Sequence, residues 1–332
     1  MPGHDLIVVG TSAGGLEALR RLVHGLPADV PAAVCIVQHV SADSPGLLPA
    51  LLSRAGPLPT LAGKDELPLE NGNIYVAPPG HHLLVEQGRL RLSRGPKENH
   101  HRPSIDALFR SAAVASGPRV IGVILTGQLD DGTAGLLAVK QCGGITVVQD
   151  PQDALYPSMP QSALRHVAVD YRVPLDELAA LLVRLASQPV KEGVPVRIPQ
   201  ILKREVHIAA MDELDLHTPD THFGTPSVYS CPDCGGVLQE RQEGSLLRFR
   251  CQVGHAFSVE SLLSEQPEVL ERALWAALKT LRERSHLAQR LSEQGQASGL
   301  PTRSTYYTDL LHETRQHISA LENVLRSGYV EE

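Results

Sequence analysis

Leu6-Ile7-Val8-Val9 runs straight into Gly10-Thr11-Ser12-Ala13-Gly14-Gly15, and Leu16-Glu17-Ala18-Leu19 follows. An apolar run of strand length, a glycine-rich turn and an amphipathic start read as strand, tight turn and helix, the opening unit of an α/β fold. Glycines on both sides of Ser12 let the backbone turn sharply without Cβ clashes. The hydroxyl then stands at the carboxyl end of the strand, beside the free N–H groups of the next helix. A serine so placed can act as a nucleophile, and a nucleophile needs a base. The next apolar strand, Ala33-Val34-Cys35-Ile36-Val37, ends in Gln38-His39. Neighbouring strands of a parallel sheet end at the same edge, which brings His39 beside Ser12. A further buried strand, Val120-Ile121-Gly122-Val123-Ile124-Leu125, opens into Thr126-Gly127-Gln128-Leu129-Asp130-Asp131-Gly132. Three strand ends thus offer Ser, His and Asp, with Asp130 and Asp131 both candidates for the third place.

A glycine-rich turn after a first strand also serves as a cofactor phosphate cradle. Here, however, the second strand ends in Gln38-His39 instead of a ribose-binding acid, and position 12 is not the second glycine of GxGxxG, so a nicotinamide reading is poor. The chain order Ser, His, Asp also differs from the Ser, Asp/Glu, His order of α/β-hydrolases, which excludes that lineage without excluding the geometry.

The serine turn and Gln38-His39 are joined by Ile74-Tyr75-Val76-Ala77-Pro78-Pro79 with His81, by His101-Arg102-Pro103-Ser104-Ile105-Asp106-Ala107-Leu108-Phe109-Arg110-Ser111-Ala112, and by Leu125-Thr126-Gly127 with Asp131-Gly132. Together, from about residue 5 to about residue 185, these motifs resemble the catalytic domain of the CheB-type chemotaxis receptor methylesterases. The resemblance implies hydrolysis of γ-glutamyl methyl esters on methyl-accepting chemotaxis receptors, often with deamidation of particular glutamines. It implies Ser12 as nucleophile, His39 as general base and acid, and Asp131 as the carboxylate that orients the imidazole, with a cognate receptor methyltransferase as a further partner. No cofactor is expected for catalysis. The Ala13 N–H is one oxyanion donor candidate, and the backbone N–H of Gln128 is another. In the family the latter loop usually reads Gly-Met-Gly-x-Asp-Gly, so Gln128 stands for methionine and Leu129 for glycine, which restricts φ at that position. A Met-Pro segment lies near the cleft in the family, making Met159 a candidate for the ester pocket, with a plain core methionine as the other reading. Ser104 is placed to cap a helix whose Leu108 and Ala112 face the sheet. The pairs His81-His82 and His100-His101 make poor joint metal ligands, because adjacent strand residues point to opposite faces.

The second strong motif is Cys231-Pro232-Asp233-Cys234-Gly235-Gly236 followed by Arg248-Phe249-Arg250-Cys251-Gln252-Val253-Gly254-His255. Three thiolates and an imidazole, from CxxC and CxxxH knuckles, suit tetrahedral zinc, and the second ligand pair argues against a redox CxxC. With all four positions filled by Cys231, Cys234, Cys251 and His255, such a site is structural, substituting for a core too small to hold by itself.

The 332 residues carry a net charge of -7, which argues against nucleic acid, and no apolar run is long enough for membrane insertion. Cys35 and Cys142 read as free thiols in apolar surroundings, and with no signal peptide the expected compartment is cytoplasmic. Residues 186–228 hold scattered prolines (Pro189, Pro195, Pro199, Pro219, Pro226) around a helix-like Ile198–Ala210, a linker with a short helix. Leu270, Leu274, Ala277, Leu281, Ala288 and Leu291, and after Gly299-Leu300-Pro301 a second stripe of Leu311, Thr314, Ile318, Leu321 and Leu325, predict an antiparallel helical hairpin. The expected fold is therefore α/β, a doubly wound, mostly parallel, Rossmann-like three-layer sheet with a zinc module and a C-terminal hairpin. Its divisions are a catalytic domain at 1–185, a linker at 186–228, a zinc-binding module at 229–258 and a helical hairpin at 259–332. With the first strand starting at Leu6, the expectation is that the receiver domain of well-known family members does not precede it. An alternative function is a catalytically weak signalling scaffold that binds receptor helices.

Overall fold

The computed structural model describes residues 3–190, 198–211, 223–299 and 301–327; Pro195 and Pro219 of the linker and Leu300 of the hairpin break lie outside them. Strand β1 (Leu6–Thr11) is buried along its whole length, with Leu6 and Val8 in one apolar layer and Ile7 and Val9 in the other. A strand apolar on both faces must be covered on both, so helices have to flank the sheet. The chain continues through α1 (Gly15–Gly25), β2 (Ala33–Gln38), α2 (Leu48–Ser53), β3 (Thr60–Ala62), β4 (Ile74–Val76), β5 (His82–Glu86), β6 (Arg89–Ser93) and α3 (Ile105–Ser116). Next come β7 (Val120–Ile124), α4 (Thr133–Gln141), β8 (Ile145–Gln149), α5 (Ser158–His166), β9 (Tyr171–Val173) and α6 (Leu175–Ala186).

Among the described residues, seven strands pair in the order β3-β4-β2-β1-β7-β8-β9, every pairing parallel. Leu19, Leu22 and Val23 of α1 and Leu178 and Leu182 of α6 fill one layer. Leu108, Phe109 and Ala112 of α3, Leu136 and Val139 of α4 and Ala163 of α5 fill the other. The order reverses at β1, with β2 on one side and β7 on the other, and crevices at the carboxyl ends of strands form at such switch points. The three-residue strands β3 and β9 and the β5-β6 hairpin have no counterpart in the sequence expectation, because segments so short carry no readable period.

Beyond α6 come α7 (Gln200–Ala210) and an antiparallel sheet of β10 (Thr225–Ser230), β11 (Val237–Glu243), β12 (Leu246–Cys251) and β13 (Ala256–Ser258). The sheet that carries the cysteines thus begins ahead of residue 229. Two compact units result, Met1–Ser261 and Leu262–Glu332, so α7 and the cysteine sheet fold into the same unit as the parallel sheet.

Helices α8 (Val259–Ala297) and α9 (Pro301–Ser327) supply the second unit. Its inner seam carries Leu278, Ala288 and Ser292 facing Ser304 and Thr314, with Arg282 paired to Glu322 across the helices. Leu270 is exposed and Ala277 points outward, so the seam runs one residue out of phase with the expected stripe there; Leu278 takes the inner place. No described helix is long and apolar enough to cross a membrane.

Candidate active site

Ser12, at the end of β1, is half-buried and fixed by its neighbours: its N–H donates to the Thr126 carbonyl (3.1 Å), and Gln38 Nε2 donates to its carbonyl (2.8 Å). The parallel ladder carries one step past β2, the His39 N–H reaching the Thr11 carbonyl (3.1 Å). That register puts the imidazole over the serine, with His39 Nδ1 3.1 Å from Ser12 Oγ. His39 Nε2 lies 2.8 Å from Asp131 Oδ2, in the loop after β7. The serine therefore faces Nδ1 and the carboxylate Nε2, the reverse of the usual protease arrangement, with the same division of roles open to the two ring nitrogens.

Asp131 is 3% exposed, yet its carboxylate is thoroughly solvated by the protein. The Ile105 N–H donates to Oδ2 (2.7 Å), and Ser104 Oγ (3.0 Å), Asn99 Nδ2 (3.0 Å) and, at longer range, the Asp106 N–H (3.4 Å) donate to Oδ1. The first turn of α3 thus points its free N–H groups at this anion, where the helix dipole favours negative charge. Burial opposes the charge, but the hydrogen bond and charge of His39 and the Asn99 amide together hold the carboxyl well below its ordinary range. Ser104, expected as a helix cap, makes no cap hydrogen bond; its hydroxyl is committed to Asp131.

Asp130 points elsewhere, accepting from Ser258 Oγ (2.7 Å), and burial pushes its carboxyl well up. Asp106 receives the Gly132 (3.0 Å) and Gly135 (2.6 Å) N–H groups and so holds the start of α4, with burial and the Asp131 charge pushing it up to about 7. His101 stacks on His39 with ring centroids 3.6 Å apart. Burial, then the His39 charge, push His101 down to about 3, so it lies against His39 as a neutral ring. The other paired histidines serve the backbone: His82 Nε2 meets the Pro96 carbonyl and His81 Nδ1 that of Pro79.

Neither the Ala13 nor the Gln128 N–H donates to another described residue, whereas the Gly127 N–H between their loops is taken by the Tyr156 carbonyl (2.9 Å). Leu129 sits at φ +59°, the left-handed region where a glycine would be unstrained, at a cost of about 1–2 kcal/mol. Met159 is fully buried instead of lining an open pocket; its sulfur packs under Gly127, where an added Cβ would lie 2.0 Å from Sδ and 2.9 Å from Ser12 Cβ. A cavity of about 160 Å³ lined by Gln38, Val40, Leu47, Leu48, Pro78 and Pro79 flanks the His39 loop and is apolar enough to take an aliphatic side chain.

Cys231, Cys234, Cys251 and His255 converge, their ligand atoms all within 4.8 Å of one another. The measured separations are 3.7 Å for Cys234–Cys251 sulfurs and 3.7 and 3.6 Å from His255 Nδ1 to the Cys231 and Cys251 sulfurs. Tetrahedral zinc with ordinary bond lengths requires about 3.8 Å between sulfurs and about 3.6 Å between sulfur and nitrogen. The donor set fits that ion. Gly254, at φ +111°, supplies the turn that returns His255 towards Cys251.

Asn99, Ser104 and His101 belong to the site although sequence reasoning assigned none of them a role there. Their signal was positional: all precede α3, whose start faces the triad loop.

Residues 7–182 match the family described as CheB methylesterase. The chain is 39% identical over 190 residues to a Leptospira interrogans protein named for protein-glutamate methylesterase and protein-glutamine glutaminase activity, a match covering 57% of this chain and 98% of that one. It is 40% identical over 187 residues to the protein-glutamate methylesterase/protein-glutamine glutaminase 1 of Xanthomonas euvesicatoria, covering 55% of this chain and 52% of the relative. The crystal structure of the Thermotoga maritima CheB methylesterase catalytic domain superposes with a TM-score of 0.53 at 30% identity, covering 56% of this chain and all of that domain.

Proposed function

The chain belongs to the CheB methylesterase family, which makes it a carboxylic ester hydrolase, and on that premise we propose that it cleaves γ-glutamyl methyl esters on methylated chemoreceptors through Ser12, His39 and Asp131. The observation that carries this reading is the unbroken chain of contacts from Ser12 Oγ to His39 (3.1 Å) and from His39 to Asp131 (2.8 Å) at the switch point of the sheet.

Serine is a weak nucleophile at neutral pH, so His39 Nδ1 takes its proton as Oγ attacks the ester carbonyl. Asp131, hydrogen-bonded to the opposite ring nitrogen, fixes the tautomer and stabilises the imidazolium. The Ala13 and Gln128 N–H groups receive the oxyanion, donors of this kind being worth roughly 10²–10³ each in rate. Collapse of the tetrahedral intermediate breaks the C–O bond, and His39 returns the proton to methoxide, releasing methanol. Water then attacks the acyl-enzyme by the same route and frees glutamate. A glutamine substrate differs only in losing ammonia, which makes deamidation accessible to the same groups. No cofactor enters these steps. The Cys231, Cys234, Cys251 and His255 set holds a structural zinc ion, which when bound supplies folding energy to the β10–β13 sheet.

Methanol release from methylated receptor cytoplasmic domains, compared between the intact chain and Ser12→Ala, tests the proposal. Loss of several powers of ten is expected. A Ser12→Ala protein as active as the original would refute the serine mechanism, and a well-folded intact chain inert on every methyl ester would favour the receptor-binding scaffold.

A further inference from the structure

Asn99 is 6% exposed and uses every hydrogen-bonding position of its carboxamide. Its Nδ2 donates to Asp131 Oδ1 (3.0 Å) and to Asp106 Oδ2 (3.1 Å). Its Oδ1 accepts from the Ser258 N–H (2.9 Å) and from Ser261 Oγ (3.0 Å). Two carboxylates on one side and two donors on the other fix which way the amide faces. Half of its partners thus belong to the triad loop and α3, and half to the end of β13 and the first turn of α8.

The backbone makes the same connection. The Asn99 N–H donates to the Ala256 carbonyl (2.8 Å) and the Ala256 N–H to the Lys97 carbonyl (3.3 Å), so the loop before α3 runs alongside β13 like an added strand. Asn99 and His100 hold φ of +48° and +68°, a conformation that persists only where surrounding contacts impose it. Two more side chains bridge the same gap: Ser258 Oγ donates to Asp130 (2.7 Å), and Arg250 of β12 donates to Glu98 (3.3 Å). The loop held in this way also carries His101, which stacks on His39. On the other side, β12 ends at Cys251 and Ser258 lies three residues beyond His255.

We propose that Asn99 is a positioning residue for Asp131, and that the end of the cysteine sheet and the first turn of α8, by holding Asn99 through the Ser258 N–H and the Ser261 hydroxyl, set the geometry of the triad from outside the segment shared with the family. The inference rests on the triad reading above. A carboxylate free to turn about its Cβ–Cγ bond would swing Oδ2 away from His39. Asn99, with Ser104, pins Oδ1 and prevents that turn, so the imidazole stays aligned with Ser12.

The test uses the full-length protein and the variants Asn99→Ala, Ser261→Ala, Ser12→Ala and Asp131→Asn. Hydrolysis of p-nitrophenyl acetate is measured per chain labelled by a serine-directed fluorophosphonate, which removes any unfolded fraction from the count; Ser12→Ala, which has no nucleophile to label, is compared per total chain. In parallel, proton NMR follows the His39 ring N–H bonded to Asp131, identified by its loss in Asp131→Asn. Asn99→Ala should lower kcat by roughly 10- to 100-fold, the scale of a misplacement near 1 Å, with KM unchanged. The His39 resonance should move or broaden while the protein still melts cooperatively. Ser261→Ala should act in the same direction and more weakly. Normal kcat per labelled serine with an unmoved resonance in Asn99→Ala overturns the inference, even if that variant melts earlier, since a purely structural role predicts that pattern. Should Asn99→Ala fail to fold, Ser261→Ala decides, since Ser258 holds Asn99 through a backbone N–H that alanine would keep: kcat and resonance unchanged in Ser261→Ala overturn it equally. A Ser12→Ala protein as active as the original brings down the triad reading itself, whereas an inactive one beside an insensitive Asn99→Ala overturns this inference alone.

Discussion

Replacing Glu205 with alanine should destabilise the first unit more than any surface change could. Glu205 is completely buried on α7 and binds Arg248 twice (2.7 and 3.1 Å) and Arg250 once (2.9 Å), with Arg110 Nε 3.9 Å away. Glu98, also buried, accepts from Arg110 and from Arg250 (3.3 Å). Arg248 also meets Glu243 (3.5 Å) and Arg110 meets Asp106 (3.9 Å), but Glu205 is the carboxylate the three guanidiniums share, and the substitution takes it from all of them. Removing one partner of a buried ion pair typically costs about 3–5 kcal/mol, and the three cations losing an anion here argue for the upper end. For a unit of this size each kcal/mol moves Tm by about 2–4 °C, so melting should fall by roughly 6–20 °C. Urea unfolding followed by circular dichroism would measure the free energy directly. A loss below about 1 kcal/mol would refute the reasoning, because it would mean that the network contributes no more than a surface pair. Acid provides a second check. Burial raises the Glu205 carboxyl, but attraction from Arg248, Arg110 and Arg250 outweighs it, and the net effect is to lower it from its ordinary 4.5. A carboxyl depressed by folding adds stability that is fully present above 4.5 and lost as pH falls through the folded value. The gap between the original protein and Glu205→Ala should therefore hold from neutral pH down to about 5 and close only in stronger acid.

Asp131→Asn should lower methanol release by about 10⁴-fold, since it leaves the imidazole in the wrong tautomer, while Asp130→Asn, which keeps the acceptor for Ser258, should cost less than about tenfold; the reverse ranking would reassign the triad. Purified protein should contain about one zinc per chain, and X-ray absorption should find three sulfurs and one nitrogen. Stripping that ion should unfold the β10–β13 sheet and disturb the His39 N–H resonance; a spectrum without sulfur ligands would sink the assignment. Gly127→Ala should destabilise by about 1–3 kcal/mol in urea and lower turnover, because its Cβ would lie 2.0 Å from Met159 Sδ beside Ser12.

The parallel sheet and the Ser-His-Asp order were legible because both are short-range properties. An apolar run buried on both faces, a turn rich in glycine and a polar residue at the next strand's end each occupy fewer than a dozen residues, and the common edge of parallel strands brings them together without further information. The four metal-ligand candidates were legible for the same reason, two knuckles whose spacing is covalent. Which aspartate meets His39 was not, because Asp130 and Asp131 are adjacent and only the packing of α3 against the loop chooses between them. Nor was the role of Ser104: the sequence predicts a cap, but the carboxylate of Asp131 already occupies the helix end. The expected division at residue 185 reads the prolines as a change of character, and buried charge crosses it, Glu205, Arg248 and Arg250 meeting Glu98 and Arg110. No local pattern announces such a junction, since a charged residue on a short helix reads as solvated until its partner, 43 residues away in Arg248 and further still in Arg110, is folded onto it. Sequence alone thus determined the strand ends that bring Ser12, His39 and Asp131 to one edge, through periodicity and covalent spacing. Tertiary structure decided what supports them, because the contacts of Asn99 with Ser258 and of Glu205 with Arg248, 159 and 43 residues apart along the chain, exist only once those segments are packed together.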